Sequence, residues 1–165
     1  PVAAALDVLA ARPEVDENRL GLIGRSFGGY YATRAAAFEK RVRGLVVFGA
    51  LFEAVDLYDD YPTIRFQLQW LTGGTSPEDT RRLLKDFSLK SVIGQESCPV
   101  LVIHGEGDHL TPASHAHRTF NGLVVEDKEL ILYGENDPGS VHCQYNSFPI
   151  TIPYFCDWLL ERLNR

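Results

Sequence analysis

The sequence has no methionine, no run of basic residues and no long apolar stretch, and its three cysteines make an odd set. Each shortage excludes something. No segment approaches the ~20 consecutive apolar residues that a helix needs to cross a bilayer, and nothing reads as a signal peptide, so no membrane partner is expected. The charge balance is acidic, formally −6. That argues against nucleic acid as a partner and says nothing of the fold. Cys98, Cys143 and Cys156 lack metal-site spacing and read as buried free thiols in a reducing compartment, which makes the expected location cytoplasmic. A chain that starts at Pro1 without any methionine is expected to be the carboxyl-terminal part of a longer protein, and a signal or anchor could lie upstream.

The 165 residues suffice for one domain with a real core. Val2 to Ala11 carries apolar residues at helical spacing until Pro13 stops it. Short strand-like runs follow at Leu20 to Gly24, Gly44 to Phe48, Pro99 to His104 and Glu129 to Tyr133, separated by helical patterns at Tyr30 to Phe38 and Ala113 to Asn121, with Pro149 to Leu163 closing the chain. Strands alternating with helices imply βαβ units: an α/β fold with a mostly parallel sheet of about four strands. Residues 51–97 are too long for a plain connection and read as a helical, cap-like insertion. Ile64, Leu68 and Leu71 fit one helical face there, and Ser76-Pro77-Glu78-Asp79 opens a further helix with a capping serine and a proline at its first position.

The stretch that carries chemistry is LGLIGRSFGGYY, Leu20 to Tyr31. A serine in G-x-S-x-G between a strand and a helix is the nucleophile elbow of a serine hydrolase. The hydroxyl of Ser26 must be exposed on a strained turn, and a Cβ at Gly24 or Gly28 is expected to collide where strand and helix nearly touch. The backbone N–H of Phe27 would point at the oxygen that becomes negative during acyl transfer. The plainer reading is an N-cap serine between ordinary turn glycines; the strand before it and the helix after it are the context that the elbow requires.

A serine hydroxyl is a poor nucleophile without an imidazole beside it and a carboxylate behind that imidazole. After such an elbow, the acid and then the histidine follow along the chain, on loops leaving the carboxyl ends of later strands. Asp108, in HGEGD beyond the third strand, fits the acid; Glu106 is a rival, and Asp127 precedes a strand and so lies at the wrong end of the sheet. Of five histidines, His104 sits at a strand end, where packing or a loop hydrogen bond explains it. His109, His115 and His117 lie in or before a helix and are expected to be exposed. His142 alone follows the fourth strand on a loop ahead of the last helix, where the base belongs. Cys143 reads as a packed small group.

With these positions the sequence resembles the α/β-hydrolase superfamily along its whole length, and within it the FrsA-like esterase group, which includes the dihydroxypseudooxynicotine hydrolases. The resemblance rests on GRSFGGYYA around Ser26, CPVLVIHGEGD leading to Asp108, the pair His142-Cys143 and the closing FCDWL. The elbow would also suit prolyl-oligopeptidase-like peptidases; the His-Cys pair and the final helix favour the esterase group. The resemblance implies a partial α/β-hydrolase fold with residues 1–165 as the carboxyl-terminal part of one domain. It implies Ser26 as nucleophile, Asp108 as acid, His142 as base and Phe27 N–H as one oxyanion donor. Arg25, Phe52, Tyr58 and Trp70 are the implied substrate-binding residues, the aromatics roofing the pocket. The loop from Gly134 to Ser140 is longer than the compact turn often found before the base.

Expected partners are a small-molecule substrate, an amino-terminal part of the same fold that would cover an open strand edge, and a second copy in a homodimer. The leading expectation is a two-step acyl-transfer hydrolase of an ester or related carbonyl compound, with no metal or cofactor. A carbon–carbon bond hydrolase, a serine peptidase and a non-catalytic hydrolase-like module are the alternatives.

Overall fold

A computed structural model describes residues 1–165. The four apolar runs form one sheet in the order β1 (Leu20–Arg25), β2 (Val42–Phe48), β3 (Val100–Gly105), β4 (Lys128–Tyr133). Every neighbour pair is parallel, in registers such as Leu22 with Leu45, Val46 with Leu101 and Val102 with Leu130. The central strands read as nearly unbroken apolar runs because helices cover both faces, leaving no water-facing side to alternate. Leu45, Val46, Val47, Val100, Leu101 and Ile103 are all fully buried.

One face carries α1 (Val2–Ala10), α2 (Phe27–Phe38) and α6 (Ser114–Gly122). Leu6, Ala32, Ala36 and Ala116 pack there on Leu45, Val47 and Val102. The small residues of α2 let it lie close on the sheet. The other face is covered by α7 (Phe148–Leu163), whose Phe155, Trp158 and Leu159 meet Val46, Phe48, Leu101 and Ile103. Fully burying such side chains stabilises a fold by about 1.5–3 kcal/mol each.

Between β2 and β3 the chain forms α3 (Ala54–Asp60), α4 (Arg65–Thr72) and α5 (Pro77–Leu84). Leu51, Leu57, Leu84 and Leu89 of this segment join Tyr30 of α2 in a cluster of their own. The start of α5 is built as expected: Ser76 Oγ accepts a hydrogen bond from Asp79 N–H at 3.1 Å, and Pro77 takes the first helical position. The face foreseen for α4 is corrected. Leu68 is buried, whereas Leu71 and its neighbours Phe66 and Trp70 are exposed. Helix α3 lies in a stretch whose pattern gave no helix.

Candidate active site

The three singled-out polar residues all leave carboxyl ends of strands, so the sheet delivers them to one rim. Ser26 directly follows β1, and its backbone N–H donates to Phe48 O at 3.0 Å, continuing the ladder for one residue. It then turns to φ 53°, ψ −127°, a strained conformation for a residue with a side chain. The turn is possible because α2 passes within touching distance of β1. A Cβ on Gly24 would lie 2.6 Å from Gly28 O and 2.6 Å from Ala32 Cβ. The expectation for Gly28 is corrected: a Cβ there would meet open space. The tight position is Gly29, where a Cβ would lie 2.5 Å from Ala50 Cβ, because Gly29 faces the end of β2 and Gly28 faces out.

Asp108 follows β3 and its carboxylate is fully buried. Oδ1 accepts from the backbone N–H groups of Leu110 at 3.0 Å and Thr111 at 2.8 Å. This leaves Oδ2 for His142, whose Nδ1–H donates to it at 2.7 Å. On the other side of the ring, Nε2 lies 2.9 Å from Ser26 Oγ, whose hydroxyl donates to it when the ring is neutral. One imidazole thus bridges serine and carboxylate. Burial alone would push the His142 pKa down, but the Asp108 carboxylate and the neighbouring Cys143 side chain override it and hold it up at about 9.

The loop bearing His142 is seated on β3 by a backbone contact. A Cβ on Gly105 would lie 2.0 Å from Ser140 O, so only glycine lets the two chains meet there. Beyond His142, Cys143 and Gln144 both adopt positive φ, 55° and 52°. Both side chains are buried, which fixes the loop from below.

His104 is also fully buried, with Nε2 2.6 Å from Thr111 O and 3.5 Å from Asp108 Oδ2. The sequence suggested a loop hydrogen bond for it, but gave no sign that the loop is the one holding Asp108. His109 and His117 are exposed as expected. His115 is not: it is buried, and its Nδ1 accepts from Phe52 N–H at 3.0 Å. Of the rival acids, Glu106 is exposed, while Asp127 pairs with Arg162 and Arg165 of the closing segment.

The expected substrate-binding set divides. Phe52 and Tyr58 are corrected from pocket roof to core: both are buried, with Arg118 stacked over Phe52 and Arg65 and Arg81 over Tyr58. Arg25 is exposed at the end of β1. Trp70 borders an apolar cleft of about 540 Å³ with Phe27, Phe66, Gln67, Leu68 and Leu71. A larger cleft of about 780 Å³ is lined by charged groups including Arg34, Glu53, Lys85 and Lys90, and by none of Ser26, Asp108 or His142. No group of three or more His, Cys, Asp or Glu side chains is arranged to hold a metal ion. No helix is long and apolar enough to cross a membrane.

A parallel sheet with helices on both faces, and an elbow strand leading into a helix, defines an α/β hydrolase. More narrowly, the chain belongs to the prolyl oligopeptidase family, whose model matches residues 2–164. It is 25% identical over 163 residues to 2,6-dihydropseudooxynicotine hydrolase of Paenarthrobacter nicotinovorans, covering 98% of this chain and 43% of that protein. It is 28% identical to hydrolase LUC6 of Fusarium sp, covering 93% of this chain and 45% of that one. Among solved structures, a 2,6-dihydroxy-pseudo-oxynicotine hydrolase superposes with a TM-score of 0.86 at 24% identity, over 98% of this chain and 45% of that one. The chain spans less than half the length of these relatives. The family name is the one that the closing residues had weighed against, while the relatives include the hydrolase group towards which they pointed.

Proposed function

We propose that this chain carries the catalytic residues of a serine hydrolase that cleaves an ester or related carbonyl compound through an acyl-enzyme. The single observation that supports this most is the imidazole of His142, 2.9 Å from Ser26 Oγ and 2.7 Å from Asp108 Oδ2. In this reading Nε2 takes the hydroxyl proton as Oγ attacks the carbonyl carbon, and Asp108 stabilises the imidazolium. His142 then returns the proton to the leaving group, and water repeats the sequence to release the acid. Phe27 N–H, at the first position of α2, has no intrahelical acceptor by helix geometry and is proposed as one oxyanion donor. The cleft between Phe27 and α4, with Trp70 and Phe66 on its wall, is proposed to take an apolar part of the substrate. The family match makes amide substrates the second reading, since the same three groups serve both bonds.

The test is a fluorophosphonate probe on the full-length protein. Ser26→Ala is expected to abolish labelling and His142→Ala to reduce it at least ~10³-fold, while His109→Ala and His117→Ala label normally. Labelling that survived Ser26→Ala would move the nucleophile elsewhere. Parallel turnover of matched nitrophenyl esters and anilides decides between ester and amide.

A further inference from the structure

His104 lies outside the three-residue arrangement, yet it is the best-buried titratable side chain beside it, with none of its surface exposed. Its Nε2 is 2.6 Å from Thr111 O. A carbonyl oxygen only accepts, so Nε2 carries the proton there and Nδ1 keeps its lone pair. That Nδ1 has no partner in the protein, a cost that a leucine or phenylalanine of similar bulk would avoid. What such residues could not supply is the N–H.

Thr111 joins two bonds. Its carbonyl accepts from His104, and its own N–H donates to Asp108 Oδ1 at 2.8 Å. The same His104 Nε2 is 3.5 Å from Asp108 Oδ2, the oxygen that His142 uses. We propose that His104 is a positioning residue: by anchoring the Thr111 carbonyl it fixes the turn whose N–H groups aim the Asp108 carboxylate at His142. This rests on the Ser26–His142–Asp108 reading above. The ionisable groups that face His104 are Asp108 on the loop after its strand, His142 on the loop after β4, and His115 and His117 on α6. Burial pushes its pKa below the ordinary histidine value, so the ring stays neutral and sets no second positive charge against an imidazolium at His142.

Two amides separate this role from plain packing. His104→Gln places an N–H near the reach of Nε2, whereas His104→Asn stops short, near the place of Nδ1. Fluorophosphonate labelling rates of the full-length protein are measured against pH, beside melting temperature. The Gln variant is expected to label within about three-fold of the parent. The Asn variant is expected to be about ten-fold slower, the loss of roughly one hydrogen bond. Its pH midpoint should also move down, because a carboxylate held less firmly raises His142 less. Equal loss in both variants, no loss in either, or an Asn variant with a lower melting temperature but an unchanged midpoint and rate would overturn the proposal. Should the Asn variant fail to fold, the Gln variant decides: a retained rate and midpoint support the proposal, and a ten-fold loss at a native melting temperature overturns it. Ser26→Ala is run alongside, because labelling that survives it sinks the underlying reading and not the role of His104 within it.

Discussion

Ser26 holds φ at 53°, a region that costs a residue with a side chain about 1–3 kcal/mol, and that strain is maintained only while β1 and α2 stay in contact. Two substitutions at the elbow should therefore diverge. Gly24→Ala drives a methyl into Gly28 O and Ala32 Cβ at 2.6 Å, and is expected to lower the melting temperature clearly. Gly28→Ala enters open space and gains up to about 1 kcal/mol of helix propensity, so its melting temperature should hold or rise. Differential scanning calorimetry checks both. The pH response of His142 follows from its raised pKa. Its folded value of about 9 stands above the ordinary 6.5, so its contribution to stability is complete below pH 6.5 and is lost as pH rises through 9. Proton acceptance needs the neutral ring, so labelling should climb through the same window. The two curves should cross in opposite senses, and His142→Gln should remove this step from both. A labelling rate already flat by pH 7 would contradict the raised value.

At the scale of elements, the segment between β2 and β3 is held by a small cluster of its own. Leu84 of α5 is fully buried in it, and Leu84→Ala is expected to cost about 2–5 kcal/mol, measured by urea denaturation of the full-length protein. The same segment shows where sequence stops informing. Strand runs and the capping serine are local signals, and both are legible. Ser26, Asp108 and His142 each follow a strand that hydrophobicity alone marks, and the sheet brings them together. Phe52 and Tyr58 were misplaced because an aromatic run looks alike whether it roofs a pocket or packs on itself. Their arginine neighbours at 65, 81 and 118 come from other elements. His115 was misplaced because α6, SHAHRTFNG, has too few apolar residues to show which face is buried. The tight glycine is Gly29 because Ala50, twenty-one positions on, happens to face it, and no motif spacing records that contact.

For the whole molecule, the two sheet faces are unequally covered. Four strands spaced ~4.8 Å apart set the outer strand axes ~14 Å apart, and one helix with its side chains is ~10–12 Å wide. Three helices cover one face, and α7 alone covers the other. Leu159 of α7 reaches the β1–β2 side, close enough that a Cβ on Gly21 would lie 2.8 Å from it, but the helix goes no further. Ile23, two residues along the same strand and on the same face, is left 46% exposed. The far edge of β1 pairs with no strand, so an open ladder and an uncovered apolar side chain occur together, the combination that invites association between chains. The relatives, more than twice as long, have chain to spare for covering such an edge. The 165 residues produced alone are therefore expected to self-associate in sedimentation at micromolar concentration. Ile23→Lys, which sets a charge on that edge, should shift them towards monomer without lowering the melting temperature. Monomeric behaviour of the unsubstituted chain at high concentration would mean that this edge is not a sticky one, and that the sheet tolerates its open side unaided.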